Sequence, residues 1–477
     1  MKKQLLRWLI PALALAATAC TPAEKRIVLL STNDIHAQID NFPMLAAAVE
    51  ACRDTTDNVV LIDAGDRWTG NPYVDRTAVP GLPIIRLMNR LGYDAATFGN
   101  HEFDHGQAHL GRIVDSMAFP VVCANLISDT CTFRQPAPFT ILERDGVRIG
   151  IVGVVTNYEG PGHPAGQKAS FVGLRFPDPQ EMALQYADSL RSQVDLLVLV
   201  SHMGDYYDEE LLRRGTPYDV VIGGHSHVVR NSVIENTLLT QTGKNLANIG
   251  VTEVLLRDGK VVDAAFRLVD LSEYPAAEPY ASEVVTYESD PELNRPAGTF
   301  TNGAGKLRIG QWMAREIARA TRAEVGFYHR GGVRLDTIPE GPVKRATIYA
   351  LEPFNSTAVV ADMTPEELRR IIIAKYNDPN NRKEGRRVDL IATTPYTIVI
   401  DADSVAYDVC FPQLREGRSY RMGYNDYVYK NYAEVDRAKG RQLTDLRINE
   451  LLLEALGAGR PLTFDAEQLQ QEAVVAR

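Results

Sequence analysis

Five apolar runs, each ending in a turn that carries aspartate, asparagine or histidine, constrain this chain more than any other feature of it. Residues 27–30 lead to Asp34-Ile35-His36, residues 59–62 to Asp63-Ala64-Gly65-Asp66, and residues 95–98 to Gly99-Asn100-His101-Glu102-Phe103-Asp104. Residues 196–200 lead to His202, and residues 220–222 to Gly223-Gly224-His225-Ser226-His227. Short apolar runs of this kind read as buried strands. In an open α/β sheet the carboxyl ends of the strands face one crevice, so these turns converge however far apart they lie in sequence. Singly, an Asp-x-His or a histidine after a strand is more often structural than chemical. Five in order are not.

Helix-like stretches at 45–52, 82–91 and 180–191 alternate with those runs, and residues 146–155 read as a further buried strand. Such alternation predicts α/β layers. Residues 253–257 and 260–269 flank Asp258-Gly259 as a β-hairpin. The composition then turns polar, with Pro275, Pro279, Pro291 and Pro296 scattered through residues 270–300. A helix at 303–322, strands near 324–327, 357–362, 396–400 and 419–424, a helix capped by Thr364 with Pro365 at its first position, and a late helix at 446–456 follow. At 477 residues the chain exceeds what one core usually supports. The expected division is a first domain over 26–270, an interdomain segment over 271–302, and a second domain over 303–477.

A net charge of −10 argues against a nucleic-acid-binding surface, which needs a basic footprint. A small phosphorylated substrate remains compatible, because bound metal ions supply local positive charge. Lys2, Lys3 and Arg7 head an apolar run over 9–17 that is short for a membrane span, and Ala17-Thr18-Ala19 precede Cys20. Residues 1–19 are therefore expected to be a bacterial lipoprotein signal, an ordinary cleavable signal being the alternative. Lipidated at Cys20, the chain is exported and tethered to a membrane, periplasmic or cell-surface, through its lipid only. Cys52, Cys123, Cys131 and Cys410 match no zinc-ribbon spacing. Cys123 and Cys131 either pair as a disulfide or stay as semi-buried thiols.

Carboxylates together with imidazoles suit borderline divalent metals such as Zn²⁺ or Mn²⁺. Asp34, His36, Asp66, Asn100, His202, His225 and His227 are too many ligands for one tetrahedral ion and suit two ions sharing a carboxylate and a water. Two such ions clamp an in-line displacement at phosphorus, one generating the nucleophilic hydroxide and both neutralising the phosphoryl oxygens.

On Asp34-x-His36, Gly65-Asp66, Gly99-Asn100-His101-Glu102-Phe103-Asp104, His202 and Gly224-His225-Ser226-His227, the chain resembles the calcineurin-like metallophosphoesterases. It is similar, more closely, to the bacterial and animal 5′-nucleotidases and periplasmic UDP-sugar hydrolases. The resemblance implies an α/β fold: a four-layer metallophosphoesterase β-sandwich flanked by helices, with a second, smaller α/β substrate-binding domain. It implies Asp34, His36 and His227 at one ion, Asn100, His202 and His225 at the other, and Asp66 bridging them. It also implies His101 and Asp104 as a catalytic dyad, the imidazolium stabilising charge on the transferring phosphoryl group or protonating the leaving oxygen. Glu102 is expected at the surface or behind the ligands.

The family's second domain holds the nucleoside part of the substrate and carries Asn-Gly-Gly-Gly-x-Arg. This chain has His329-Arg330-Gly331-Gly332-Val333-Arg334, so Arg334 matches while His329 and Arg330 depart. Arg330 either contacts phosphate bidentately or is a solvated charge. Phe354 matches an aromatic that stacks on the base, or is an ordinary core residue. Asn425-Asp426-Tyr427 fits the start of the stretch that carries a second aromatic, but Tyr429-Lys430-Asn431-Tyr432 stands where the family has glycines and an acid. Tyr424, Tyr427, Tyr429 and Tyr432 either rebuild an aromatic pocket or pack a strand. The reading that follows is a secreted dinuclear-metal phosphohydrolase acting on nucleoside 5′-phosphates. Its alternatives are a UDP-sugar pyrophosphatase or cyclic-nucleotide phosphodiesterase, and a non-catalytic nucleotide- or metal-binding surface lipoprotein.

Overall fold

The computed structural model describes residues 24–129, 134–158, 162–383, 385, 387–457, 461–465 and 470–474. The expectations for the signal segment, for Cys20 and for Cys131 fall outside these residues. Cys123 is a buried free thiol.

Strands Glu24–Thr32, Val59–Asp63 and Ala95–Ala96 run parallel, and the hairpin of Asn248–Arg257 with Lys260–Asp270 completes a five-stranded sheet beside Glu24–Thr32. A six-stranded sheet carries Val147–Val155, Leu196–His202, Val220–Gly223 and Thr237–Thr242 in parallel, with antiparallel edges Phe139–Arg144 and Val229–Ile234. Side chains alternate across each strand, and here both faces are apolar. Ile27, Leu29, Val60 and Ile62 point at Ile149, Ile151, Val198, Val200 and Ile222 of the other sheet. Val28, Leu30 and Leu61 point outward, against helices Phe42–Arg53 and Leu82–Leu91. On the far side Val152, Leu197, Leu199 and Val221 meet helices Pro179–Leu190 and Asp205–Arg213. Helix, sheet, sheet and helix make the four layers. Two-faced burial is why these strands read as unbroken apolar runs rather than as alternating ones.

Helix Tyr280–Tyr287 returns to the first core, its Tyr280 ring 5.9 Å from that of Phe42. Beyond it lies a second α/β unit with its own cores. Its five-stranded sheet runs Leu390–Ala392, Val325–His329, Tyr420–Asn425, Thr357–Met363 and Lys439–Arg447. Helix Lys306–Thr321 buries Ile309, Trp312, Met313 and Ile317 in that unit. Thr364 caps helix Pro365–Asn377 through a reciprocal pair with Glu367.

Candidate active site

The parallel strands end where the chain must turn sharply, and the turning residues are the site residues themselves. Asp34, His36, Asp66, His225 and His227 have φ of 49, 49, 58, 79 and 60°. Aspartate and histidine tolerate this left-handed region better than most residues, but at a cost. The cost concentrates on five of the seven residues that the turns were expected to bring together. Two glycines let the loops close up. A Cβ at Gly99 would lie 2.1 Å from Asp66 Oδ1, and one at Gly224 would lie 2.8 Å from His202 Nδ1.

Asp34, His36, Asp66 and His227 each offer a ligand atom, all within 4.8 Å of one another, and so do Asp66, His202 and His225. Asp66 belongs to both groups. Asn100 joins the second, its Oδ1 3.0 Å from His225 Nδ1. All seven residues thus gather at one place, on the carboxyl ends of strands from both sheets. His36 Nε2 lies 2.9 Å from His227 Nε2, and His202 Nε2 lies 3.2 Å from Asp66 Oδ2. The Nδ1 of His202 sits 2.6 Å from the Ala64 carbonyl. That carbonyl holds a proton on Nδ1 and aims the Nε2 position at the Asp66 carboxylate, the arrangement that orients a ligating imidazole. Burial opposes charge on His202, but Asp66 and Asp34 outweigh it and push its pKa up to about 10. The pocket therefore asks for a cation where that proton sits. Two buried carboxylates, four imidazoles and an amide oxygen in two overlapping groups fit two divalent ions.

Beside this centre, His101 Nδ1 lies 2.7 Å from Asp104 Oδ2, which also accepts a 2.8 Å hydrogen bond from the Thr69 hydroxyl. The His101 backbone N–H donates to Asp66 Oδ1 at 2.9 Å. Burial lowers the His101 pKa, yet Asp104 and Asp66 outweigh it and the net shift is upward. Glu102 is wholly buried, which excludes its surface reading. It accepts the backbone N–H groups of Asp66, Arg67 and Gly99, at 3.0, 2.9 and 2.5 Å, tying the Asp66 turn to the Asn100 turn. Arg67, equally buried, pairs with Asp63 at 2.8 Å. A buried Asp63–Arg67–Glu102 set behind the site is absent from the sequence reading. Its one local signal is an arginine directly after the Gly65-Asp66 turn.

The second unit brings its own residues. Arg334 Nη2 lies 3.2 Å from His36 Nδ1, and the guanidinium carbon is 5.7 Å from the Phe354 ring centre. The Phe354 ring lies 6.0 Å from that of His101, 24° from parallel. Phe354 is therefore a cleft residue rather than a core one. A cavity of about 590 Å³ runs between the units, lined by Asp66, Asn100 and His101 from one and by Arg334, Phe354 and Tyr427 from the other. Arg330 is not among its lining residues. It opens the short turn Arg330–Gly332, half-buried, with its backbone N–H donating to the Asp389 carbonyl at 2.7 Å. Of the four tyrosines, Tyr427 and Tyr432 line the cavity, while Tyr424 is buried and stacked on Phe327 at 4.8 Å.

Residues 27–229 match the family model of the calcineurin-like phosphoesterases, which gives the sandwich and its gathered turns their class. Residues 286–434 match that of the 5′-nucleotidase, C-terminal domain. The chain belongs to the family in which these two domains are joined. The trifunctional nucleotide phosphoesterase protein YfkN of Bacillus subtilis is 23% identical over 435 residues, covering 79% of this chain and 29% of that one. This chain thus spans less than a third of YfkN's length. Protein UshA of Yersinia enterocolitica is 23% identical over 531 residues and is covered to 94%, as is this chain. The crystal structure of a 5′-nucleotidase precursor from Thermus thermophilus superposes with a TM-score of 0.81 at 21% identity, over 94% of this chain and 99% of that one. That likeness is one of fold.

Proposed function

We propose that this chain is an exported, dinuclear-metal phosphohydrolase that removes phosphate from nucleoside 5′-phosphates. The observation that carries the reading is one cavity in which Arg334 and Phe354 face a two-group cluster of metal-ligating side chains. The matched domains and a relative named as a nucleotide phosphoesterase support the same class. Asp34, His36 and His227 would hold one ion, Asn100, His202 and His225 the other, and Asp66 both. Zn²⁺ and Mn²⁺ are the ions this donor set suits. When bound, such ions supply an activated water nucleophile and neutralise charge on the phosphoryl oxygens.

The chain's own residues do the rest. Arg334, whose Nη2 lies beside the ligand His36, donates to the phosphoryl oxygens from the second unit. Asp104 and Thr69 hold the imidazole of His101 so that Nε2 faces the phosphoryl group, where its proton stabilises developing charge or passes to the leaving oxygen. Phe354 offers the leaving nucleoside an aromatic face, which tolerates any base. Lys2, Lys3, Arg7 and Cys20 support export and lipid anchoring, and among the described residues no helix is long and apolar enough to cross a membrane.

A second reading, hydrolysis of a nucleotide diester or pyrophosphate such as a UDP-sugar, has its own support. A chamber of about 310 Å³ adjoins the cavity past Tyr427, with Lys168 and Lys430 on its walls, and would seat a group beyond the nucleoside. Phosphate release from AMP and phenyl phosphate directly, and from a UDP-sugar with added phosphatase to reveal the UMP and sugar phosphate that its cleavage forms, after chelation and re-addition of Zn²⁺, Mn²⁺ or Mg²⁺, tests both. Metal-dependent turnover that favours AMP supports the first reading. UDP-sugar cleavage exceeding AMP hydrolysis supports the second, and no metal-dependent turnover overturns both.

A further inference from the structure

His329 stands where the family pattern has asparagine, and its surroundings give it a distinct task. It ends strand Val325–His329 and is 7% exposed. Its ring lies flat on Tyr427, with centroids 4.3 Å apart and planes 15° apart. Three neighbours fix that ring. Asn425 Nδ2 sits 3.0 Å from its Nδ1, and the Tyr328 ring lies 5.2 Å away. The Gly332 backbone comes so close that a Cβ there would be 2.3 Å from His329 Cε1.

Tyr427 is held on its other sides as well. It is the second residue of helix Asp426–Asn431, where the related pattern has a glycine-rich stretch, so its backbone is regular rather than free to turn. Tyr432 meets its edge at 6.3 Å and 75°. That tyrosine is itself fixed by a hydroxyl that donates to Asp389 and by Lys375 Nζ, 4.1 Å over its ring. His329 and Tyr427 both line the cavity that Phe354 enters.

We propose that His329 is a positioning residue for a base-binding platform: it fixes the plane of Tyr427 against the planar heteroaromatic base of the nucleotide. The proposal rests on the nucleoside 5′-phosphate reading. A stacking ring contributes most when it is already in the bound pose, because a ring free to tilt must be ordered on binding. Flat packing of His329 on one face leaves Tyr427 one orientation in which to meet the ligand with the other, at the offset-stacked geometry that aromatic pairs prefer. The same packing explains how the chain keeps a platform without the glycine-rich stretch. Rigid stacking from behind takes the place of that stretch.

The test compares His329→Asn with His329→Phe in the full chain, reading kcat and KM for AMP and for phenyl phosphate. Asparagine removes the flat ring, and the ratio of kcat/KM for AMP over phenyl phosphate should fall about tenfold, carried by KM for AMP. Phenylalanine keeps a ring on Tyr427 without the Asn425 contact and should hold the ratio within about twofold. Adenosine binding to both variants reads the platform without turnover, and separates its loss from misfolding, which would abolish phenyl phosphate hydrolysis too. Equal losses in both variants, or an unchanged ratio in the asparagine variant, overturn the proposal alone. A wild-type protein that prefers phenyl phosphate to AMP overturns the nucleotide reading itself.

Discussion

Arg334 Nη2 lies 3.2 Å from His36 Nδ1, across 298 positions of sequence and between the two units of the chain. The same ring nitrogen lies 3.2 Å from the Thr69 carbonyl. With His36 ligating through Nε2, its Nδ1 carries a proton and donates to Thr69, so Arg334 must turn its donor elsewhere. Under the proposed function, a phosphoryl oxygen in the cavity accepts from it. Arg334→Ala should therefore lower kcat/KM for AMP by about 30- to 100-fold, the loss of one charge-assisted hydrogen-bonded contact. Arg334→Lys should recover little of it, because the planar fork is lost. Steady-state kinetics check this, and a lysine variant of wild-type efficiency would show that only charge is needed there.

Asp66 sits in both groups of ligating side chains, whereas His36 and His202 each sit in one. Removing a shared carboxylate should cost both ions, and removing one imidazole only its own. Metal analysis after dialysis should find about two ions per wild-type chain, about one in His36→Ala, and well under one in Asp66→Ala. Thermal unfolding should show the same order, since a ligand that binds only the folded chain stabilises it by mass action. Equal losses in His36→Ala and Asp66→Ala would mean a single cooperative site.

How legible the site is in the sequence depends on whether a residue's partner lies nearby along the chain. The ligands and the His101–Asp104 pair follow strand ends directly, so position alone carries them. Asp63, Arg67 and Glu102 do not stand out, because a buried arginine is recognisable only once folding has brought Glu102 to within 3.6 Å of it. The second unit is harder to read. Arg330 draws attention as the added cation beside Gly331, yet the short turn there keeps it off the cavity wall. The substituted residue that reaches the cavity is His329. The four tyrosines look equivalent in sequence, and only the register of Tyr420–Asn425 against Thr357–Met363 turns Tyr424 into the core. The helix Asp426–Asn431 then carries Tyr427 to the cleft.

Glu352, just before Pro353-Phe354, is fully buried, and desolvation pushes its pKa up to about 7 from 4.5, against the hydrogen bonds it accepts from Ser356. Because the folded chain holds that proton more tightly than the unfolded one, the contribution to stability is complete below about pH 4.5 and is lost as pH rises through 7. Glu352→Gln stays neutral at every pH. The variant should therefore match wild type near pH 4 and exceed it at pH 8 by up to about 3 kcal/mol. Thermal midpoints measured from pH 4 to pH 8 read the difference, and a constant offset would show that folding does not shift the carboxyl's pKa.

Asn380 lines the cavity and links the second unit to the first. Its Nδ2 donates to the Tyr158 carbonyl at 2.7 Å, and its Oδ1 accepts from the Tyr207 hydroxyl, while Tyr207 stacks on Tyr158 at 4.0 Å. Lys383, on the same short helix Pro379–Lys383, lies 4.1 Å over the Tyr207 ring and 3.6 Å from Glu210. These contacts join the two units directly, and Asn380 lines the cavity between them. Each hydrogen bond is worth about 1 kcal/mol net, so Asn380→Ala should weaken the hold between the units by about 2 kcal/mol. The expected result is a larger radius of gyration in solution scattering and a raised KM for AMP. Both should be reversed by an engineered disulfide across the same contact, and a loss of turnover in that variant would show that the units part in each cycle. An Asn380→Ala variant with unchanged scattering and KM would place the hold between the units elsewhere, at Arg334 and at the Lys244–Asp336 pair, 2.8 Å apart.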